Sequence, residues 1–156
     1  METPDIETGL ASIRQRIGAA ARAAGRQPDD VQLIAVTKYM PSAYVEKAMA
    51  AGHHCFGENT LQGAMNKQPL LDDPANEWHF IGHLQTNKAK KVPAHFNWLH
   101  TLDSLRLARK LSDSALRADT CLNVLLQVNI ANDPDKYGLA PDSVYAFTDE
   151  LLAAQL

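Results

Sequence analysis

Apolar residues recur at steps of three or four near the start of the chain, at Ile6, Leu10, Ile13, Ile17 and Ala21. That spacing predicts a helix with one apolar stripe, and Arg14, Arg16 and Arg22 fall mostly off it. Thr3 is placed to cap this helix, Pro4 suits its first turn, and Gly25 marks its end. Gln27-Pro28-Asp29-Asp30 reads as a turn. The period then changes. Val31 to Val36 is short, uniformly apolar and rich in β-branched residues, which predicts a buried parallel strand. Pro41 opens a second helix with Val45, Ala48 and Met49 inward and Gly52 at its end.

The alternation continues. His54-Cys55-Phe56-Gly57 is a weaker strand, and a helix follows through about Leu71. Trp78 to Ile81 is a third strand, followed by Gly82 and a short basic helix with Lys88, Lys90 and Lys91. Asn97 to Thr101 is a fourth strand. Asp103 is expected to cap a helix whose shared face carries Leu105, Ala108, Leu111 and Ala115. Leu122 to Val128 is a fifth strand, Asn129 to Gly138 a polar loop, and Pro141 to Leu156 a last helical pattern. An initial helix and five β/α units in series predict a parallel sheet with helices outside it.

Composition narrows the picture little. Hydrophobic residues are 46% and charged residues 21% of 156, an ordinary globular balance. The length suits one domain and is short for a closed eight-stranded barrel, which usually needs about 200 residues or more. The net charge of -3 offers no electrostatic case for nucleic acid or an anionic membrane. Cys55 and Cys121 match no metal spacing and read as reduced thiols. The acidic N-terminus lacks a signal-peptide pattern, and no apolar run approaches the roughly 20 residues of a membrane span. A soluble cytoplasmic protein is the resulting expectation.

In parallel β/α folds, ligands gather at the carboxyl ends of strands. Lys38, Glu58 and Asn59, His83 and Gln85, Asp103 and Ser104, and Asn129 all follow strands. Lys38 is the sharpest of them. An isolated lysine there reads as one that has snorkelled clear of the core. A partly desolvated lysine instead has a lowered pKa, and its neutral amine forms imines with aldehydes. That chemistry suits pyridoxal phosphate and class I aldolases alike. His79 and His83 lie four apart, but across a strand and a turn. No metal site is expected, since no acidic ligand in sequence completes one. Nucleotide-binding glycine motifs and nucleophile-elbow serines do not occur.

Several motifs then occur together in order: Ala35-Val36-Thr37-Lys38, Phe56-Gly57-Glu58-Asn59, Trp78-His79-Phe80-Ile81-Gly82-His83-Leu84-Gln85-Thr86-Asn87-Lys88, Thr101-Leu102-Asp103-Ser104, Gln127-Val128-Asn129 and Lys136-Tyr137-Gly138-Leu139. In these the chain resembles the pyridoxal phosphate homeostasis protein family along nearly its whole length. The resemblance implies an α/β fold, a (β/α)8 barrel of TIM type as in the alanine racemase N-terminal domain. It implies an imine between pyridoxal 5'-phosphate and Lys38, with Asn59 and His83 at the cofactor rim and Lys136 in a loop tied to cofactor transfer. It further implies a non-catalytic carrier or regulator of vitamin B6 supply, whose partners include apo-enzymes that receive cofactor.

Two departures stand out. Tyr39-Met40 occupies a place where many bacterial members carry a second lysine. The resemblance also implies three further strands, carrying a phosphate cradle and an arginine near the pyridine nitrogen, that this sequence does not contain. Residues 1–156 are therefore expected to form a single, C-terminally incomplete domain of about five β/α units that binds cofactor weakly. The competing readings are a fold-type III racemase or decarboxylase, a lysine-dependent aldolase using Glu58 or Tyr39, and a barrel piece with impaired binding.

Overall fold

The computed structural model describes residues 5–156. Thr3 and Pro4 lie outside the described residues. Helix α1 (Ile6–Ala23) is instead capped by Asp5, whose carboxylate accepts from the Thr8 N–H at 3.1 Å. Gly25, at a φ of 70°, ends it as the sequence predicts. There follow β1 (Ala35–Val36), α2 (Ser42–Ala50), β2 (Cys55–Glu58), α3 (Leu61–Lys67) and β3 (Glu77–Phe80). Then come β4 (Trp98–Leu102), α4 (Leu105–Ala118), β5 (Asn123–Leu126) and α5 (Val144–Ala153). No described helix is long and apolar enough to cross a membrane.

The strands form one parallel sheet in the order β1-β2-β3-β4-β5. Each strand pairs with its successor in sequence, and right-handed crossovers then place the connecting helices on one face. The pleat sorts the side chains. Phe56, Trp78, Phe80 and Leu99 are buried and enter one core with Val45, Ala64, Leu107 and Leu111 from the helices. Phe56 and Trp78 touch across β2 and β3 with ring centres 5.5 Å apart. The alternate residues Cys55, Gly57, Glu77 and His79 line the opposite, inner face.

The structure differs from the sequence reading in three local respects. Strand β1 is two residues long, and Val36 is 50% exposed instead of buried. Among the described residues β1 has one neighbour, β2, so nothing covers its outer side. The basic segment between β3 and β4 is a 3-10 helix, Thr86–Lys91. Asp103 does not cap α4; Ser104 holds the cap position in extended backbone, without a side-chain bond. Gly52 ends α2 at a φ of 69°, as expected.

Candidate functional site

The carboxyl ends of the strands form a polar rim, and Lys38 stands at its β1 end. Thr37, immediately before it, is fixed in three ways. Its N–H donates to the Gly57 carbonyl at 3.0 Å, its hydroxyl donates to Glu58 at 2.7 Å, and its carbonyl accepts from Lys67 Nζ at 2.7 Å. The Met40 N–H also bonds the Thr37 carbonyl, closing a turn in which Tyr39 adopts a φ of 63°. The backbone at Lys38 is thus held while its side chain is exposed. The residues around it do not desolvate this lysine, which agrees with the reading of a side chain that has snorkelled clear of the core and not with the partly desolvated alternative. The cause is the open side of β1.

Beneath the rim lies a buried ion pair. Lys67 Nζ sits 2.5 Å from Glu58 Oε1, with Glu58 1% and Lys67 8% exposed. Glu58 is the last residue of β2, and α3 delivers Lys67 across it. Both charges are satisfied, Glu58 by Lys67 and the Thr37 hydroxyl, Lys67 by Glu58 and the Thr37 carbonyl. This links the second crossover helix to the residue that carries Lys38.

Asn59 and His83 line one cavity of about 660 Å³ with Gln85, Lys88, Lys90 and Lys91. They meet because Gly82 has no side chain. A Cβ there would lie 2.1 Å from the Asn59 carbonyl oxygen, so only glycine admits this approach. Asn59 Nδ2 donates to the Tyr39 hydroxyl at 3.2 Å, which joins it to the Lys38 turn. His83 is exposed and stacks on Tyr137, with ring centres 3.6 Å apart. The loop bearing Lys136 therefore folds back over the third strand's end. Gln127 Oε1, just beyond β5, is buried without a hydrogen-bond partner. An exposed amine and the polar rim groups fit an aldehyde-bearing cofactor.

A second polar group occupies the inner face at the amino ends of β2 and β3. Glu77 accepts from Trp98 Nε1 on one oxygen, and from Gln32 Nε2 at 2.7 Å and Cys55 Sγ at 3.3 Å on the other. Burial, with Glu77 beside it, pushes the Cys55 thiol up to about 11, so without a bound cation it stays protonated and weakly nucleophilic. Burial lowers the pKa of His79 and of His100, whose rings meet at 3.0 Å between Nδ1 and Nε2.

The sequence reading missed three of these features. Lys67 lies at three-residue steps from Leu61 and Ala64, and a lysine on that apolar stripe was the available signal. Glu77 and Cys55 come beside His79 through strand pairing, which spacing along the chain does not reveal. His83, considered with His79, is directed to the rim instead.

The family model for the alanine racemase N-terminal domain matches residues 9–156. The chain is 44% identical over 144 residues to a pyridoxal phosphate homeostasis protein of Pseudomonas aeruginosa, covering 92% of this chain and 63% of that protein. To the pyridoxal phosphate homeostasis protein of Escherichia coli K12 it is 41% identical over 153 residues, covering 96% and 64%. PipY of Synechococcus elongatus PCC7942, solved without PLP, superposes with a TM-score of 0.83 at 40% identity, over 94% of this chain and 64% of that one. PipY with PLP bound gives a TM-score of 0.78 at 37% identity, over 94% and 64%. The chain thus spans less than two thirds of the length of these relatives.

Proposed function

The chain belongs to the alanine racemase N-terminal domain family, and from that premise we propose that it binds pyridoxal 5'-phosphate in the service of vitamin B6 homeostasis. The observation that carries this reading is the Lys38 turn. Thr37 is pinned through its N–H, carbonyl and hydroxyl, which presents the Lys38 amine at the strand end where this fold class gathers ligands. The cofactor, when bound, supplies an aldehyde that reacts with a primary amine and a ring that withdraws electrons. Lys38 Nζ serves as that amine. Asn59 and His83 serve as polar contacts at the rim, and Tyr39 orients Asn59 through its hydroxyl.

The role we propose is that of a carrier or regulator without turnover of its own, handing cofactor to apo-enzymes. The names of the similar proteins from Pseudomonas aeruginosa and Escherichia coli support it. We further read residues 1–156 as one domain, and the five strands as consecutive staves of an eight-stranded barrel. Their sequential parallel order and open edges support this.

The test is direct. The chain is incubated with pyridoxal 5'-phosphate, reduced with borohydride and mapped by mass spectrometry. Reduction should trap the cofactor on Lys38 in preference to the surface lysines Lys88, Lys90 and Lys91. Lys38→Ala should abolish that adduct. Equal labelling of all lysines, or none at Lys38, would overturn the proposal. Racemisation of amino acids by the loaded chain would overturn the carrier role alone.

A further inference from the structure

Three side chains of different chemistry converge on the inner face, at the end of the sheet opposite Lys38. Cys55 begins β2, Glu77 begins β3, and His79 stands two residues further on the same face. Register pairs Cys55 with Glu77. Cys55 Sγ lies 3.5 Å from His79 Nε2 and 3.3 Å from Glu77 Oε2, and the last two atoms are 3.9 Å apart. All three donor atoms fall within 4.8 Å of one another.

Those separations decide what the group can hold. A tetrahedral zinc ion bonds thiolate sulfur at about 2.3 Å and nitrogen or oxygen at about 2.0–2.2 Å, so its ligand–ligand edges are about 3.3–3.6 Å. Two of the three edges already have that length. The third closes by roughly half an ångström, a small rotation of the partly exposed Glu77 carboxylate.

The surrounding groups are those a metal site requires. His100 Nε2 occupies Nδ1 of His79 at 3.0 Å, which leaves Nε2 aimed at the Cys55 sulfur. The His79 ring is stacked on Trp98, with an interplanar angle of 7°. Trp98 Nε1 donates to the second Glu77 oxygen. Gln32 Nε2 donates to the Cys55 sulfur at 2.9 Å and to Glu77 Oε2 at 2.7 Å, the contacts that stabilise thiolate and carboxylate charge. Every ligand thus has an outer partner. His79 is buried, while Glu77 retains 34% side-chain exposure and leaves a way in.

We propose that Cys55 Sγ, Glu77 Oε2 and His79 Nε2 form a zinc site, distinct from the Lys38 rim. Binding replaces the Cys55 S–H bond with an S–Zn bond and releases that proton to solvent. Three protein donors leave the fourth corner to a water molecule. The site is independent of the cofactor reading, since it uses none of the rim residues.

The experiment titrates the full reduced, metal-free chain with Co²⁺ alone and then with Zn²⁺. One equivalent of Co²⁺ per chain should give a thiolate-to-cobalt charge-transfer band, which Zn²⁺ displaces. Cys55→Ser should abolish the band, and Cys121→Ser, at the exposed second cysteine, should keep it. His100→Ala, removing an outer partner, should weaken binding about 10–100-fold. His79→Gln should weaken it further, and if that variant does not fold, the two cysteine variants decide. No band in the parent chain, or a band that survives Cys55→Ser, would overturn the proposal.

Discussion

The centre and the edges of the sheet are built from similar apolar segments yet have opposite fates. In β2 to β4, Phe56, Trp78, Phe80 and Leu99 are at most 6% exposed. In β1 and β5, Val36, Val124 and Leu125 are 50%, 41% and 45% exposed. A parallel strand is buried by neighbours on both sides and layers on both faces, and the outer strands have one neighbour each among the described residues. The centre can therefore hold polar groups away from water, and both polar clusters depend on it. The edge leaves Lys38 open.

The largest consequence concerns the buried ion pair on the last residue of β2. Removing one partner of such a pair leaves an uncompensated charge and costs about 3–5 kcal/mol. Glu58→Ala should lose stability on that scale in urea unfolding, with Lys67 Nζ stranded. The double variant Glu58→Leu with Lys67→Met should recover most of it, because an apolar pair of similar volume avoids both desolvation penalties. A loss below about 1 kcal/mol, the range of surface ion pairs, would mean that water reaches the pair. The centre would then be no drier than the edge.

A smaller effect separates Leu99 from Val36. Leu99, fully buried in β4, should cost about 2–5 kcal/mol when truncated to Ala. Val36→Ala at the exposed strand should stay within about 0.5 kcal/mol. Equal losses at the two positions would show that β1 is covered in solution, by further chain or by a second copy.

The sequence reveals the centre well and the edges less well, for a physical reason. Apolar runs and helical stripes report local period, so five strands in series with helices between them follow from it, although β1 keeps only Ala35–Val36 of the expected strand and the segment after β3 is a 3-10 helix. Exposure at Val36 depends on what lies beside β1, which no local pattern encodes. The same division runs through the sites. Lys38, Asn59 and His83, the proposed cofactor contacts, stand out in the sequence because each follows a strand and sits in a specific motif. Gly82 is legible as a point of close approach, although its partner, the Asn59 carbonyl, emerges only in three dimensions. The Cys55, Glu77 and His79 group is hidden because strand pairing assembles it from residues 22 and 24 positions apart.

The smallest effect lies outside the sheet altogether, at the first turn of α1. This helix packs on α2 and the Pro28–Asp30 turn, with Arg14 donating to the carbonyls of Ala51 and Gly52. Hydrogen bonding from Thr8, through its hydroxyl and its N–H, holds the Asp5 carboxyl below its ordinary value of 3.8. A carboxyl depressed in the folded state stabilises above its unfolded pKa, and that contribution disappears as pH falls through the folded value. The helix-sensitive circular dichroism of the parent chain and of Asp5→Ala should therefore differ at neutral pH and converge well below pH 3.8. Trp78 and Trp98, the two tryptophans of the chain, lie in β3 and β4, so fluorescence reports the centre separately. If α1 opens by itself, the substitution shifts the helix signal and leaves the tryptophan transition in place. A matching shift in both would make the peripheral helix and the central strands one cooperative unit, and exposure would then be a poor guide to which part of this sheet opens first.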